Sequence, residues 1–223
     1  MRTGTFAALA VLPLLAACAP EVEATLRTSD ILRVTQDGRP FFVPALLRIP
    51  QSSEESCNRG LADLITNLGM LSPVTGKGSC ISKDGDQFAE IETSMLVATI
   101  DSVQPAKSLF VLAVSTVDEV TYDLAFALNQ PIDELVMALA ANSNELQADF
   151  DPARFSFTLA NDGAAGWVLT GNTVFIDGEP AVPGTAPVDL AAQASVRIAF
   201  SDVAAAYAEK GNSHTFARIT AAP

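Results

Sequence analysis

Cys18 is the residue whose type and setting give this chain its clearest chemistry. It follows an apolar stretch at positions 6–15, which is preceded by a positive charge at Arg2. A stretch this short cannot span a bilayer as a helix and is typical of the apolar segment of a secretion signal. We therefore predict that 1–17 is a signal peptide and that Cys18 is the first residue of the mature chain.

Four residues, Leu15-Ala16-Ala17-Cys18, resemble the lipobox of bacterial lipoprotein signal peptides. The resemblance implies diacylglycerol transfer to the Cys18 sulfur, cleavage before Cys18, and attachment of a further acyl chain, such as palmitate, to the new amine. Several acyl chains anchor a protein stably, whereas one binds only marginally. Because Ala19 rather than Asp follows, we expect a lipid-anchored protein of the cell envelope, on the periplasmic face of the outer membrane. The alternative is an ordinary cleaved signal peptide in which Cys18 is incidental.

The other two cysteines, Cys57 and Cys80, are an even pair in a chain expected in an oxidising compartment. We predict that they form a disulfide, which closes a loop of about 24 residues and contributes about 3 kcal/mol in the chain-entropy model. A metal or redox site made of two free thiols is the alternative. The absence of Cys-x-x-Cys spacing and the single histidine of the chain argue against it.

The remaining candidates for chemistry favour structural interpretations. His214 is the only histidine, so sites that need two are excluded, and no Gly-x-Ser-x-Gly motif offers it a nucleophile. The segment 76–79 lacks the full phosphate-loop pattern and is expected to be a flexible loop. Asp84, Asp86 and Glu90 lack the EF-hand spacing and are expected to be solvated. We therefore predict no catalytic residue, no metal site, no cofactor and no enzyme activity.

Charge and composition limit the partners. Without Arg2 the mature chain has 12 basic and 26 acidic residues, a formal charge of −14. Such acidity argues against binding to nucleic acid, which requires clustered Lys and Arg, and against electrostatic adhesion to anionic lipid. The chain is 49% hydrophobic and 17% charged, which predicts a packed core. We found no second apolar run long enough to cross a membrane.

Helical and strand periodicities predict an α+β fold. Cys57, Leu61, Leu64, Ile65 and Leu68 share one face of a helix that begins near Ser52-Ser53, and a second helix is expected to begin at Pro131. The segment 72–85, rich in Gly, Ser and Pro, is predicted to be a loop held by Cys80. Strands are predicted over 41–49, with Pro44 at an edge or bulge, and over 88–100, 108–115 and 120–128.

The domain organisation follows from a change of pattern near 147–153. From Arg154 onward short alternating strands are separated by turns such as Asp177-Gly178. We predict a lipidated tether over 18–24, an α+β region with antiparallel sheets, two main helices and the disulfide over 25–147, and a small β-sandwich over 153–221. The sequence leaves open whether the last two regions form one domain.

Several short fragments carry a resemblance to a family of uncharacterised lipoproteins found in bacteria, phages and prophages. These fragments are 28–32 (TSDIL), 46–57, 159–162 (LAND), 174–180 (VFIDGEP), 201–203 (SDV) and 210–211 (KG). The resemblance covers most of the mature chain, although this chain is richer in Ala and poorer in Lys. It implies no activity and no catalytic residue. A prophage lipoprotein that alters the host surface is one reading that it suggests.

These observations lead to one main functional hypothesis and two alternatives. The main hypothesis is a non-enzymatic, membrane-anchored envelope lipoprotein that acts as an interaction or structural module through a protein partner. The first alternative is a carrier of an apolar ligand, suggested by a mean hydropathy of +0.29. The second is a carboxylate-dependent hydrolase of envelope polymer, because only the fold decides whether two carboxylates converge. The single tryptophan and two tyrosines provide few rings for stacking on sugar.

Overall fold

A computed structural model describes residues 19–102, 108–129 and 153–222. The predicted signal peptide, Cys18 and the helix predicted from Pro131 lie outside these residues. The strands are β1 Glu21–Arg27, β2 Phe41–Gln51, β3 Val74–Lys83, β4 Asp86–Thr99, β5 Phe110–Thr116, β6 Thr121–Leu128, β7 Arg154–Ala160, β8 Trp167–Gly171, β9 Val174–Ile176, β10 Glu179–Ala181, β11 Val188–Leu190, β12 Ser195–Phe200 and β13 His214–Ala221. The helices are α1 Thr28–Asp37, α2 Glu54–Leu71 and α3 Asp202–Glu209.

The strands form one sheet in the order β10-β9-β12-β7-β1-β2-β4-β5-β6-β13-β8-β11, and β3 pairs with β4 beside this path. The predicted α+β fold with a C-terminal β-sandwich is therefore wrong: the described chain is mostly β, with one curled sheet and three helices. Pairing across the chain explains the error. The β1 strand runs parallel to β7 and β6 pairs with β13, so strands from both predicted regions share the sheet. Alternation of apolar and polar residues along a strand shows which side chains are buried, but it does not show which other strands pair with it.

Two segments that were predicted to lack regular structure contribute to strands. The expected tether, 18–24, contributes Glu21–Ala24 to β1, where Val22 is fully buried. The expected loop, 72–85, contains β3, which includes the glycine-rich segment 76–79. Composition misled here because β3 is held from outside, by β4 on one edge and by α2 packed against it.

The curl brings the two ends of the sheet together. Only Asn172 and Thr173 separate β8 from β9, although these strands lie near opposite ends of the strand order. At this seam a Cβ atom on Gly171 would lie 2.5 Å from the Cβ atom of Ala181, which real side chains do not tolerate. The absence of a side chain at Gly171 therefore allows the close approach of the two ends.

The three helices cover the inner face of the sheet. The α1 helix contacts β1, β4 and β5, α2 contacts β2, β3 and β4, and α3 contacts strands from both arms of the curl. Beneath α3 lies a cluster of phenylalanine rings with centroids 4.9 to 5.7 Å apart: Phe126, Phe155, Phe157, Phe200 and Phe216. Aromatic burial of this extent makes this part of the interior solid.

Candidate functional site

The outer face of the sheet carries a cluster of charges centred on Arg48. Because side chains alternate along a strand, Val22 and Ala24 face the core and Glu21 and Glu23 face outward. Arg48 lies on β2, between Glu21 of β1 on one side and Glu90 of β4 on the other. Its guanidinium reaches Glu21 at 3.1 Å, Glu23 at 2.9 Å and Glu90 at 2.7 Å, so one cation joins three carboxylates across three strands.

Glu21 is the most enclosed carboxylate of this cluster, with a side chain only 9% exposed. Lys83 Nζ lies 2.6 Å from its Oε2 atom, and Arg154 approaches Oε1 at 3.8 Å. Burial alone would raise the pKa of Glu21, but the hydrogen bonds and charges of Lys83 and Arg48 outweigh it and hold the pKa below its ordinary value. Burial lowers the pKa of Arg48, but the contacts with Glu90, Glu23 and Glu21 outweigh it and raise this pKa. Both groups are therefore charged at neutral pH.

The ladder between β1 and β2 ends where this cluster ends. It joins Glu21–Ala24 to Ala45–Arg48, and the next partner of Thr25 in the same register would be Pro44. Proline has no N–H to donate to a ladder, so pairing stops at this position. Residues 41–44 keep their pairing with β4 alone, while 25–27 pair with β7 alone. The sheet is therefore open between the ends of β1 and β2.

A cleft of about 920 Å³ occupies this gap. Its lining includes the consecutive residues Phe41–Leu46 of β2 and 23–25 of β1, so the cleft lies along both strands that border the gap. Phe42 is 46% exposed, and with Pro44 and Leu46 it forms an apolar floor on the outer face. The walls are charged and carry three cations and three carboxylates: Arg27, Arg33, Arg197, Glu23, Asp30 and Glu92.

Each carboxylate that lines the cleft has a partner within the protein. Glu23 is paired with Arg48 and Arg197, Asp30 accepts a hydrogen bond from the Arg27 backbone, and Glu92 accepts one from Thr75. Hydrolysis of a glycosidic bond would instead require two carboxyl groups directed at one substrate. Within the ranges that the structure describes, no group of three or more His, Cys, Asp or Glu side chains could hold a metal ion.

The predicted disulfide is present and joins α2 to β3. Cys57 is fully buried on the inner face of α2, and its Cα atom lies 5.9 Å from that of Cys80. Ser53 caps the N-terminus of α2 by accepting a hydrogen bond from the Ser56 backbone. The disulfide lies on the face of the sheet opposite the charge cluster, so its role is to hold α2 and β3 in place.

His214 has a structural environment. Its Nε2 atom lies 3.1 Å from the Asn172 carbonyl oxygen, and its ring meets the edges of Phe200 and Tyr207. Burial lowers the pKa of His214 more than the Asn172 carbonyl raises it, so the ring is neutral at pH 7. The imidazole therefore helps to close the seam at the β8–β9 turn. Glu90, one of the residues considered for calcium, is instead the ion-pair partner of Arg48.

Sequence reasoning missed the charge cluster and the cleft. The alternation of Glu21 and Glu23 with Val22 and Ala24 was a signal for a polar strand face, but the partner cations come from other strands. Pro44 was predicted to lie at an edge or bulge, and in the structure it lies next to the last β2 residue that pairs with β1, in a strand inside the sheet. Among the helices in the described part of the chain, none is long and apolar enough to cross a membrane.

These features define a class of protein: a mostly β domain on one curled sheet, with an ion-paired outer face and a cleft at a gap between strands. The chain belongs to the family described as a domain of unknown function, DUF7424, whose model matches residues 20–222. The expectation of an uncharacterised family is thereby confirmed, whereas the match carries no information on a lipid anchor or a phage origin. The comparisons with curated proteins and with solved structures found no match.

Two of the fragments that carried the family resemblance meet in the fold. The carboxylate of Asp162 accepts hydrogen bonds from the backbone N–H of Ser29, at 3.0 Å, and from its hydroxyl, at 2.5 Å. Asn161 donates to the carbonyls of Ala165 and Ala191, at 2.8 and 2.9 Å. The TSD and ND fragments therefore fasten the N-terminus of α1 to the turn after β7, which is a structural role.

Proposed function

We propose that this protein is a lipid-anchored envelope lipoprotein that binds an extended segment of a partner protein in the cleft between β1 and β2. The observation that carries the proposal is the gap itself: the ladder ends at Ala24 and Ala45, and a cleft of about 920 Å³ fills the opening. Anchoring through Cys18 is supported by the lipobox sequence.

The lining favours a polypeptide segment over a purely apolar ligand. Phe42 and Leu46 offer contacts to apolar side chains, and strand backbone at the gap offers hydrogen bonds to an added chain. Arg33 and Glu92 on the walls provide both signs of charge. An apolar carrier would present an enclosed apolar cavity with few polar groups.

Photo-crosslinking in intact cells tests this proposal. A photoreactive phenylalanine analogue at Phe42 is expected to crosslink one envelope protein, whereas the same analogue at Phe175, 38% exposed on β9, is expected to give no such product. The crosslinked segment is then synthesised as a peptide, and its affinity for the mature chain is measured. The substitution Leu46→Asp should weaken binding about tenfold or more, since it places a charge on the apolar floor.

Two results would contradict the proposal. One is the same crosslinking pattern from Phe42 and Phe175. The other is a peptide that binds the wild type and Leu46→Asp equally. Unfolding midpoints of the variants serve as the control for intact structure.

A further inference from the structure

We propose that the exposed face of α3, formed by Val203 and Tyr207, rests together with the following Lys210 on the surface of a zwitterionic lipid bilayer and sets the orientation of the domain. This proposal rests on the lipid anchor at Cys18. It adds a second contact with the membrane, made by the folded domain.

The first observation is the position of α3 relative to the anchor. Ala19 is buried, and the next residue, Pro20, accepts a hydrogen bond of 2.7 Å from the backbone N–H of Arg154. The neighbouring backbone N–H, that of Ala153, donates to the carboxylate of Glu209, the last residue of α3. Ala19, the first residue that the structure describes, directly follows the proposed attachment site in the sequence and therefore lies at the part of the surface that carries α3.

The second observation is the composition of the exposed helix face. Positions 203, 207 and 210 follow helical spacing and lie away from Ala204 and Ala208, which are buried. Val203 is 73% exposed, the highest value among the exposed large hydrophobic side chains of the described residues, and Tyr207 is 50% exposed. A valine, a tyrosine with its hydroxyl and a lysine match the acyl, headgroup and outer layers of a membrane interface.

The chemistry of the bilayer follows from charge. Asp202 and Glu209 accompany Lys210 on and beside α3, and the mature chain is strongly acidic. Anionic lipid would repel such a surface, so a neutral headgroup layer is the fitting partner. The apolar face is too small to bind alone, and lipidation provides the attachment.

The proposed contact of α3 with the membrane determines which way the cleft faces. The β1 strand leads from Glu21, two residues after the first described residue, to Arg27 at the cleft, a rise of about 20 Å for a strand of this length. With α3 on the membrane the cleft faces the aqueous phase, where a protein partner can reach it.

Fluorescence quenching on the full lipidated protein tests the proposal. Cys57 and Cys80 are in a disulfide and Cys18 would be acylated, so an introduced cysteine is the one free thiol. An environment-sensitive dye is attached to Val203→Cys or to the matched control Val117→Cys, 48% exposed in the β5–β6 turn. Strand pairing from β1 through β2, β4 and β5 places this turn at the opposite end of the sheet.

The protein is inserted into phosphatidylcholine vesicles that contain nitroxide-labelled lipid. The dye at position 203 should be quenched at least about threefold more strongly than the dye at 117, and Tyr207→Glu should reduce this difference. Equal quenching at 203 and 117 on protein that floats with the vesicles would overturn the docking of α3 and leave the anchor intact. Failure of the wild type to float, as for Cys18→Ser, would instead refute the anchor.

Discussion

Replacing Arg48 by methionine tests whether the outer charge cluster stabilises the fold. The guanidinium is 11% exposed and joins three carboxylates, of which Glu21 is 9% exposed. Removing one partner of a buried ion pair costs about 3–5 kcal/mol, since it leaves charge without compensation. Here Lys83 remains 2.6 Å from Glu21 and water reaches Glu90, so we expect a loss of about 2–3 kcal/mol.

The pH dependence of this loss identifies its cause. The pKa of Glu21 is lower in the folded protein than its ordinary value of 4.5, so its ion pairs stabilise the fold fully above that pH. As the pH falls through the folded pKa, Glu21 is protonated and the wild type loses this contribution. The difference in free energy of unfolding between wild type and Arg48→Met should therefore shrink below about pH 4.5.

Urea unfolding of the mature chain, prepared without lipid and followed by circular dichroism at pH 7 and pH 3.5, measures both effects. Arg59→Met is the matched control, because its ion pair with Glu55 joins side chains that are 63% and 85% exposed, and it should cost about 0.5 kcal/mol or less. A loss for Arg48→Met no larger than that of the control, or one that persists unchanged in acid, would refute the reasoning.

Four further predictions follow from other contacts. Replacing both Cys57 and Cys80 by alanine should lower the free energy of unfolding by about 3 kcal/mol, measured in urea and compared with the reduced wild type. Gly171→Val should cost about 2 kcal/mol or more in the same assay, because the added side chain meets the opposite side of the seam. Asp162→Ala should lower the free energy of unfolding by about 1 kcal/mol at pH 7 and by less in acid. Burial raises the pKa of Asp162, but the hydrogen bonds from Ser29 and Thr28 lower it by more, and protonation of the carboxylate weakens these bonds. Cys18→Ser should abolish recovery of the protein in the membrane fraction, and recovery equal to that of the wild type would contradict acylation.

Local signals in the sequence were sufficient for most strands and for α2. Strict alternation of Phe155, Phe157 and Leu159 with smaller residues identified β7, and all three are buried. Ser53 before two glutamates identified the start of α2, where it is the cap. In each case the information lies within one element, because burial of one face and capping depend on neighbouring residues.

The sequence did not reveal which strands pair when they lie far apart in the chain. Ala19–Ala24 is short and has one β-branched residue, and it is a central strand because it pairs with β2 on one edge and, on the other, with β7, more than a hundred residues away. The glycine-rich β3 is stabilised by β4, α2 and the disulfide and not by its own propensity. The charge cluster was hidden for the same reason, since Glu21, Arg48 and Glu90 meet only once the register is known.

Several residues of the family fragments have structural roles in caps and turns. Asp162 fastens α1, Asp177 adopts a φ of +49° at a hairpin turn, and Ser201 caps α3. Capping and turn geometry explain these residues fully, so a match to them identifies the fold and carries no information about a ligand. Most of the cleft is built from residues outside the fragments, such as Phe42 and Glu92, although Asp30 and Leu46 belong to fragments and also line it. We therefore expect a protein that shares the fragments to share the curled sheet, while the lining of its cleft would depend mainly on the residues at the β1–β2 gap.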